Sequence, residues 1–523
     1  MLMLGSGVGF NIQREYVYKL PAVREDFRAP ERLDEASADF IVPDTREGWV
    51  ALLAKVLDLG FPEGKGSSVP MRTYSTQLVR GKGAPIRGFG GTASGPEDLV
   101  WGIGEISRVL EERRGKQLRP IDCLDIMNII GSVVVAGNVR RSAQLAIGDM
   151  DDEQYLGAKR WDLGTIPNWR AMSNNSVVCN DFRRLPDSFW EGYRGNGEPY
   201  GLINLRLSRS CGRVGDTQYR DPLVRGYNPC AEQSLADYET CCLAEVFLPN
   251  VESYEEFVDI LRLLYIVCKC SLALPCHQQQ TEAIVHKHMR MGIGVTGYLQ
   301  ASDAQRDWLK PAYDYLRDVD RTFSSSRGWP TSIKLTTVKP SGTLSLLPGV
   351  TPGAHPAYAR YLIRRIRVAS NHPLVDVVRS HGYKVEYQRN FDGTPDHGTV
   401  VCEFPFAYPE GTKLAKDMTA IDQLEVVREL QTNWSDNAVS CTVYYRSEEL
   451  PEIQAYLKKN FNSNFKSLSF LLHNEHGFDQ APLEEIDEET YNQLVASTKL
   501  ITRVEDAEFD ATDECATGAC PIK

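Results

Sequence analysis

The chain has 523 residues, 42% of them apolar and 24% charged, with a formal charge of −12. That length exceeds one ordinary hydrophobic core and predicts either two domains or one large α/β barrel, and the acidic balance excludes a general nucleic-acid binder, which needs a basic face. Thirteen cysteines are too few for a disulfide-built secreted scaffold, and the short apolar start has neither a basic leader nor transmembrane length, so a cytoplasmic protein is expected.

MLMLGSGVGF (1–10) reads like the inside of a buried strand and a glycine-rich turn, and glycine turns recur over 81–95. Apolar periodicity predicts helices over about 98–114 and 121–130, then a buried strand at Val133–Val135 leading into Gly137, Asn138, Arg140, Arg141 and Ser142. Further helices are predicted over 254–271 and around 282–290, with Cys268, Cys270 and Cys276 expected in the core. Thr336–Val338 reads as a strand entering a loop, and 438–445 (AVSCTVYY) is β-rich. Alternating strands and helices make α/β the fold class. From Ala481 to Lys523 there are eleven acidic and three basic residues, a net of −8, which predicts a flexible acidic tail.

Four segments carry chemistry. In NPCAE (228–232) Cys230 is flanked at two residues' distance by the Asn228 amide and the Glu232 carboxylate, a set suited to a nucleophilic or radical thiol beside a base; a buried structural cysteine next to a surface acid is the equal alternative. KPSGTLSLLPGV (339–350) can present backbone N–H groups of Ser341, Gly342 and Thr343 to a phosphate, although it lacks Walker spacing and an ordinary glycine turn competes. Arg360, Arg364, Arg365 and Arg367 either face phosphates or pair with acids along one element. Cys515 and Cys520 lack two further ligands of zinc-site spacing, so a mobile dithiol shuttle fits them better than a metal site.

Taken in order, GSGVGF (5–10), FGGTASGP (89–96), GNVRRSAQLA (137–146), MSNNSV (172–177), NPCAE, MGIGVTG (291–297), KPSGTLSLLPGVTPGAHP (339–356) and CATGACPIK (515–523) resemble the adenosylcobalamin-dependent (class II) ribonucleotide reductases, most nearly their monomeric ribonucleoside-triphosphate branch. The resemblance implies a ten-stranded α/β barrel over residues 1–480, with a finger loop through it and the tail over 481–523. It implies reduction of ribonucleoside triphosphates or diphosphates to 2′-deoxyribonucleotides, with adenosylcobalamin as cofactor and no metal ligand directly from the protein. Cys230 then matches the thiyl-radical carrier, Glu232 the base on the 3′-hydroxyl, and Asn228 the amide that holds the ribose hydroxyls. Cys241 matches one reducing thiol, and Cys515/Cys520 the shuttle recharged by a thioredoxin-like donor. Ser341, Gly342, Thr343 and Leu344 match the substrate phosphate loop, and Gly137–Ser142 the loop that relays deoxynucleotide effector identity.

The chain also departs from this pattern. The family carries the thiol that pairs with Cys241 on a strand upstream of GSGVGF, the segment at which this chain begins. A barrel lacking its first strand is therefore expected, from a reductase split over two polypeptides and completed by a separate N-terminal reductase fragment, from a start codon placed too late, or from a chain given without its first part, with Cys242 and Cys123 as substitute thiols that do not match the family position. An inactive or complementing nucleotide-binding fragment is the alternative function.

Overall fold

The computed structural model describes residues 1–61, 71–84, 93–136, 143–194, 198, 200–370, 372–389, 393–473 and 480–502. Its centre is a six-stranded sheet in the order Val8–Asn11, Gln144–Asp149, Ser173–Val178, Gly201–Ile203, Ser467–Leu472, Thr442–Tyr445. The first four strands run parallel, and so do the last two. The two blocks meet antiparallel where Leu202 pairs with Leu468. A second parallel sheet holds Leu243–Phe247, Gly292–Thr296 and Thr336–Thr337, and a bridge from Val338 to Val439 carries it on toward Thr442–Tyr445. The strands thus form one wall of two oppositely directed halves, as the resemblance implied. Among the described residues Val8–Asn11 and Leu243–Phe247 have one strand neighbour each.

Parallel strands are covered on both faces, so their sequences run apolar or small instead of alternating. Gly292–Thr296 is buried at every position and Gln144–Asp149 at all but the last. The covering layer includes Tyr254–Leu272, capped by Ser253, and Leu309–Arg327, which ends at Gly328 with φ 66°. These two helices are tied by the buried pair Lys269–Asp320 at 3.0 Å. Cys268 faces the core as expected, but Cys270 is exposed and Cys276 only half-buried. Two residues along a helix turn about 200°, so 268 and 270 fall on opposite faces.

The stretch between the first two strands of the large sheet is an excursion. It contains a small parallel sheet (Glu31–Arg32, Thr73–Ser75, Phe40–Ile41) and the helices Arg46–Gly60, Glu97–Glu112 and Pro120–Val135. The strand expected at Val133–Val135 is the last turn of that third helix. Its β-branched residues have poor helix propensity, but tertiary packing overrides a preference this weak. A Cβ on Gly102 would come within 2.3 Å of Val133 Cγ2, so the two helices touch there at a glycine.

A separate antiparallel sheet is ordered Val385–Arg389, Pro395–Ala407, Tyr361–Ala369, Leu483–Glu485. It resolves the arginine cluster in favour of pairing with acids for Arg365, while Arg367 is held by neutral oxygens. Arg365 holds Glu403 at 2.8 Å and Glu484 at 2.5 Å, and Arg367 donates to Gln388 Oε1 and to the Gln480 carbonyl. The sheet also corrects the expected start of the tail at 481. Leu483–Glu485 pairs with residues 362–364, and the helix Glu488–Ser497 sets Tyr491 against Tyr361 at 5.2 Å between ring centroids.

Candidate active site

NPCAE sits at the turn between two short antiparallel strands, Gly226–Tyr227 and Ser234–Leu235. Its backbone is fixed from within and from the wall. Ala231 N donates to Asn228 O (2.9 Å), and Gln233 N to Asn228 Oδ1 (2.9 Å). From the wall, Ser440 Oγ donates to Cys230 O (2.5 Å), Ser467 Oγ to Ala231 O (2.8 Å), and Ala438 N to Glu232 O (2.8 Å). Ala231 lies at φ 59°, a left-handed conformation that costs a non-glycine residue roughly 1–2 kcal/mol. Such strain persists where the surroundings over-determine it, and the bonds to both neighbouring carbonyls do so here.

GSGVGF makes room for this turn. A Cβ on Gly9 would fall 1.7 Å from Tyr227 O, and one on Gly7 2.5 Å from Pro229 Cγ. On the opposite side, a Cβ on Gly292 would fall 1.7 Å from Gln233 Nε2. The glycines of two sequence motifs are thus places where the finger loop passes against bare backbone.

The turn brings Cys230, Glu232 and Cys241 into one electrostatic neighbourhood. Cys230 is reachable from solvent, yet desolvation by the protein around it, with Glu232 and Cys241 adding, pushes its thiol up to about 12. Cys241 is pushed up to about 11 by burial and then by Glu232. Both therefore remain S–H at neutral pH. Burial also raises the Glu232 carboxyl above its ordinary range, against the pull of the Asn228 hydrogen bond and the Lys339 cation. Glu232 is 1% exposed, and its Oε2 is buried with no hydrogen-bond partner.

Of the proposed substitute thiols, Cys242 follows Cys241 directly and so turns to the opposite face of the chain. There its Sγ lies 3.9 Å from the Cys268 carbonyl, against the helix Tyr254–Leu272. Cys123 lies on the helix Pro120–Val135, packed against the core. Cys242 nonetheless acts on the neighbouring Cys241, helping to raise its thiol.

In the 339–350 loop, Ser341 takes φ 51° and its Oγ is buried without a partner. Gly342, Thr343 and Leu344 are exposed, and Leu344 opens a three-residue 3-10 turn. Sequence reasoning missed four residues of the site: Lys339, Glu245, Ser440 and Ser467. Lys339 was visible as the first residue of KPSGTL, and Glu245 by its even spacing from Cys241. No signal marked the two serines. Gly137–Ser142, Cys515 and Cys520 lie outside the described residues.

The wall and its pinned thiol–carboxylate turn define the class. A crystal structure of a B12-dependent (class II) ribonucleotide reductase superposes with a TM-score of 0.80 at 29% identity, over all of this chain and 78% of that one. Residues 13–110, within the excursion, match the family model for the insertion domain of B12-dependent ribonucleotide reductases. Curated relatives include the adenosylcobalamin-dependent ribonucleoside-triphosphate reductases of Lacticaseibacillus paracasei (36% identical) and Lactobacillus leichmannii (34%), each aligned over all of this chain and 79% of its own length. The chain belongs to the adenosylcobalamin-dependent ribonucleoside-triphosphate reductase family.

Proposed function

We propose that this chain reduces ribonucleoside triphosphates to 2′-deoxyribonucleotides by thiyl-radical chemistry initiated with adenosylcobalamin. One observation carries the reading: a protonated, solvent-reachable thiol and a buried carboxylate with an unpaired oxygen share one pinned turn. The donor set fits the cofactor, because a thiol held up to about 12 keeps the S–H hydrogen that a radical initiator must take. When bound, adenosylcobalamin supplies a carbon-centred radical by cleavage of its cobalt–carbon bond.

Cys230, once a thiyl radical, takes the ribose 3′ hydrogen. Glu232 accepts the 3′-hydroxyl proton at Oε2, the oxygen left open, while Asn228 orients the ribose hydroxyls. The 2′-hydroxyl takes up a proton and leaves as water, two thiols supply two electrons and two protons and become a disulfide, and Cys230 and Glu232 return the 3′ hydrogen and the 3′-hydroxyl proton. Cys241 is one of the two thiols. Ser341, Gly342, Thr343 and Leu344 receive the triphosphate, and Gly137, Asn138, Arg140, Arg141 and Ser142 transmit the identity of a deoxynucleotide effector. Cys515 and Cys520 restore the dithiol and are recharged by a thioredoxin-like reductant. None of the helices among the described residues is long and apolar enough to cross a membrane, and the reaction is assigned to the cytoplasm, where thiols stay reduced.

Incubation with adenosylcobalamin, effector, ribonucleoside triphosphate and dithiothreitol tests this reading. Deoxynucleotide is expected, and Cys230→Ser abolishes both product and substrate-dependent cobalt–carbon cleavage. Product formation by the Cys230→Ser variant rejects the mechanism.

A further inference from the structure

We propose that Lys339, held in place by Glu245, is a positioning residue of the thiol–carboxylate site, supplying positive charge to Glu232 and Cys241. This assignment rests on the function proposed above.

Sheet register builds the arrangement. Glu245 pairs with Gly294, and Gly294 with Thr337, so the three lie in one row across adjacent parallel strands. Paired residues project to the same face, and residues two apart along a strand share it. Lys339 and Cys241 lie just beyond the paired residues; Lys339 reaches this row through Glu245, and Glu232 and Lys339 both act on Cys241. Thr337 Oγ1 lies 3.0 Å from Glu232 O, which locates that face against the catalytic turn.

Gly294 carries no side chain in the middle of this row. A Cβ there would stand 3.7 Å from Glu245 Cβ and 3.7 Å from Lys339 N. The gap lets Lys339 Nζ reach across to Glu245 Oε1 at 3.4 Å. Glu245 is fixed in turn, since Thr296 Oγ1 donates to its Oε2 at 2.7 Å. The Lys339 backbone is clamped as well: a Cβ on Gly353 would come 2.1 Å from Lys339 O.

The charged and titratable groups acting at this point are Glu232 and Cys230 on the finger loop, Cys241, Cys242 and Glu245 on the strand and its approach, and Lys339 itself. Lys339 draws Cys230, Cys241 and Glu232 alike toward their ionised forms. With the cation removed, Glu232 loses a charge that favours its ionised form and holds its proton more tightly.

The test compares wild type, Lys339→Met and Lys339→Arg as full chains. Iodoacetamide alkylation at about pH 8.5 reads the thiolate fraction of each cysteine by mass spectrometry, with exposed Cys270, on the helix Tyr254–Leu272, as internal reference. Lys339→Met is expected to slow Cys241 relative to Cys270 by roughly fivefold, a shift somewhat under one pKa unit, and Lys339→Arg to keep the wild-type ratio. In turnover, the acidic limb of the kcat profile moves to higher pH in Lys339→Met and returns in Lys339→Arg. An unchanged Cys241/Cys270 ratio in Lys339→Met overturns the assignment, whatever happens to kcat. A wild type that makes no deoxynucleotide while the ratio still moves rejects the proposed reaction and leaves Lys339 in its place.

Discussion

At the scale of single residues, Glu232 sets fold against function. Its folded carboxyl holds a proton more tightly than the unfolded chain does, because it is buried and one oxygen has no partner. A raised carboxylate pKa means that the folded state binds more protons, so stability falls as pH rises through the unfolded value of about 4.5 toward the folded one. Glu232→Gln is therefore expected to raise neutral-pH stability by about 1 kcal/mol while abolishing turnover. Denaturant melts of both proteins check this: the gain should shrink as pH falls from neutral toward about 4.5 and vanish below it. A gain that persists undiminished in acid would assign the effect to packing instead. The motif NPCAE was legible in sequence because its three functional side chains lie within five residues. The serines that hold it were not, since Ser440 and Ser467 are more than 200 positions away and meet the turn only through the folded wall.

At the scale of elements, the finger loop is placed by what its neighbours omit. Gly9 is the sharpest case, because its missing Cβ is 1.7 Å from a backbone oxygen that has no rotamer to change. Gly9→Ala is expected to cost about 3 kcal/mol, the upper range for overpacking, and to lower kcat at least about tenfold by moving the turn. Gly104→Ala is the control: a helical position with open space beyond it, where alanine is favoured over glycine. Thermal melts and turnover of the pair read the contrast directly, and equal losses in both would remove the special status of Gly9. Helix and strand existence was mostly readable from periodicity. Val133–Val135 was misassigned because three β-branched residues look like a strand until the facing helix with its Gly102 gap is known.

At the scale of the whole molecule, buried charge ties together segments far apart in the chain. Arg290 binds Asp221 (2.6 Å) and Glu239 (2.9 Å), Lys334 lies 3.3 Å from Asp221, and Arg317 binds Asp436 (2.5 Å). Asp436 also accepts from Leu335 N and Tyr313 Oη, so it links the helix Leu309–Arg327 to the strand Thr336–Thr337. Burial alone would raise the Asp221 carboxyl, but Lys334 and Arg290 outweigh it and hold it down to about 2. A depressed carboxylate stabilises the fold above its unfolded value, and that contribution is lost as pH falls from about 4 to about 2. Acid unfolding is expected in this window, and Asp221→Asn should flatten it. Because the variant also leaves Arg290 and Lys334 short of a buried counterion, it should cost about 3–5 kcal/mol at neutral pH. A neutral-pH loss below about 1 kcal/mol would show that the network is not holding these segments together.

The sequence by itself determined the α/β class, the family and the chemical identity of Cys230, Glu232, Asn228 and Cys241, because each depends on residue types at short, ordered spacings. Tertiary structure alone decided which groups surround them. The row Glu245–Gly294–Thr337, the reach of Lys339 across a missing side chain, and the turning of Cys242 away from the site all follow from strand register. Register sets which face a side chain occupies, and it exists only once strands far apart in the chain have paired.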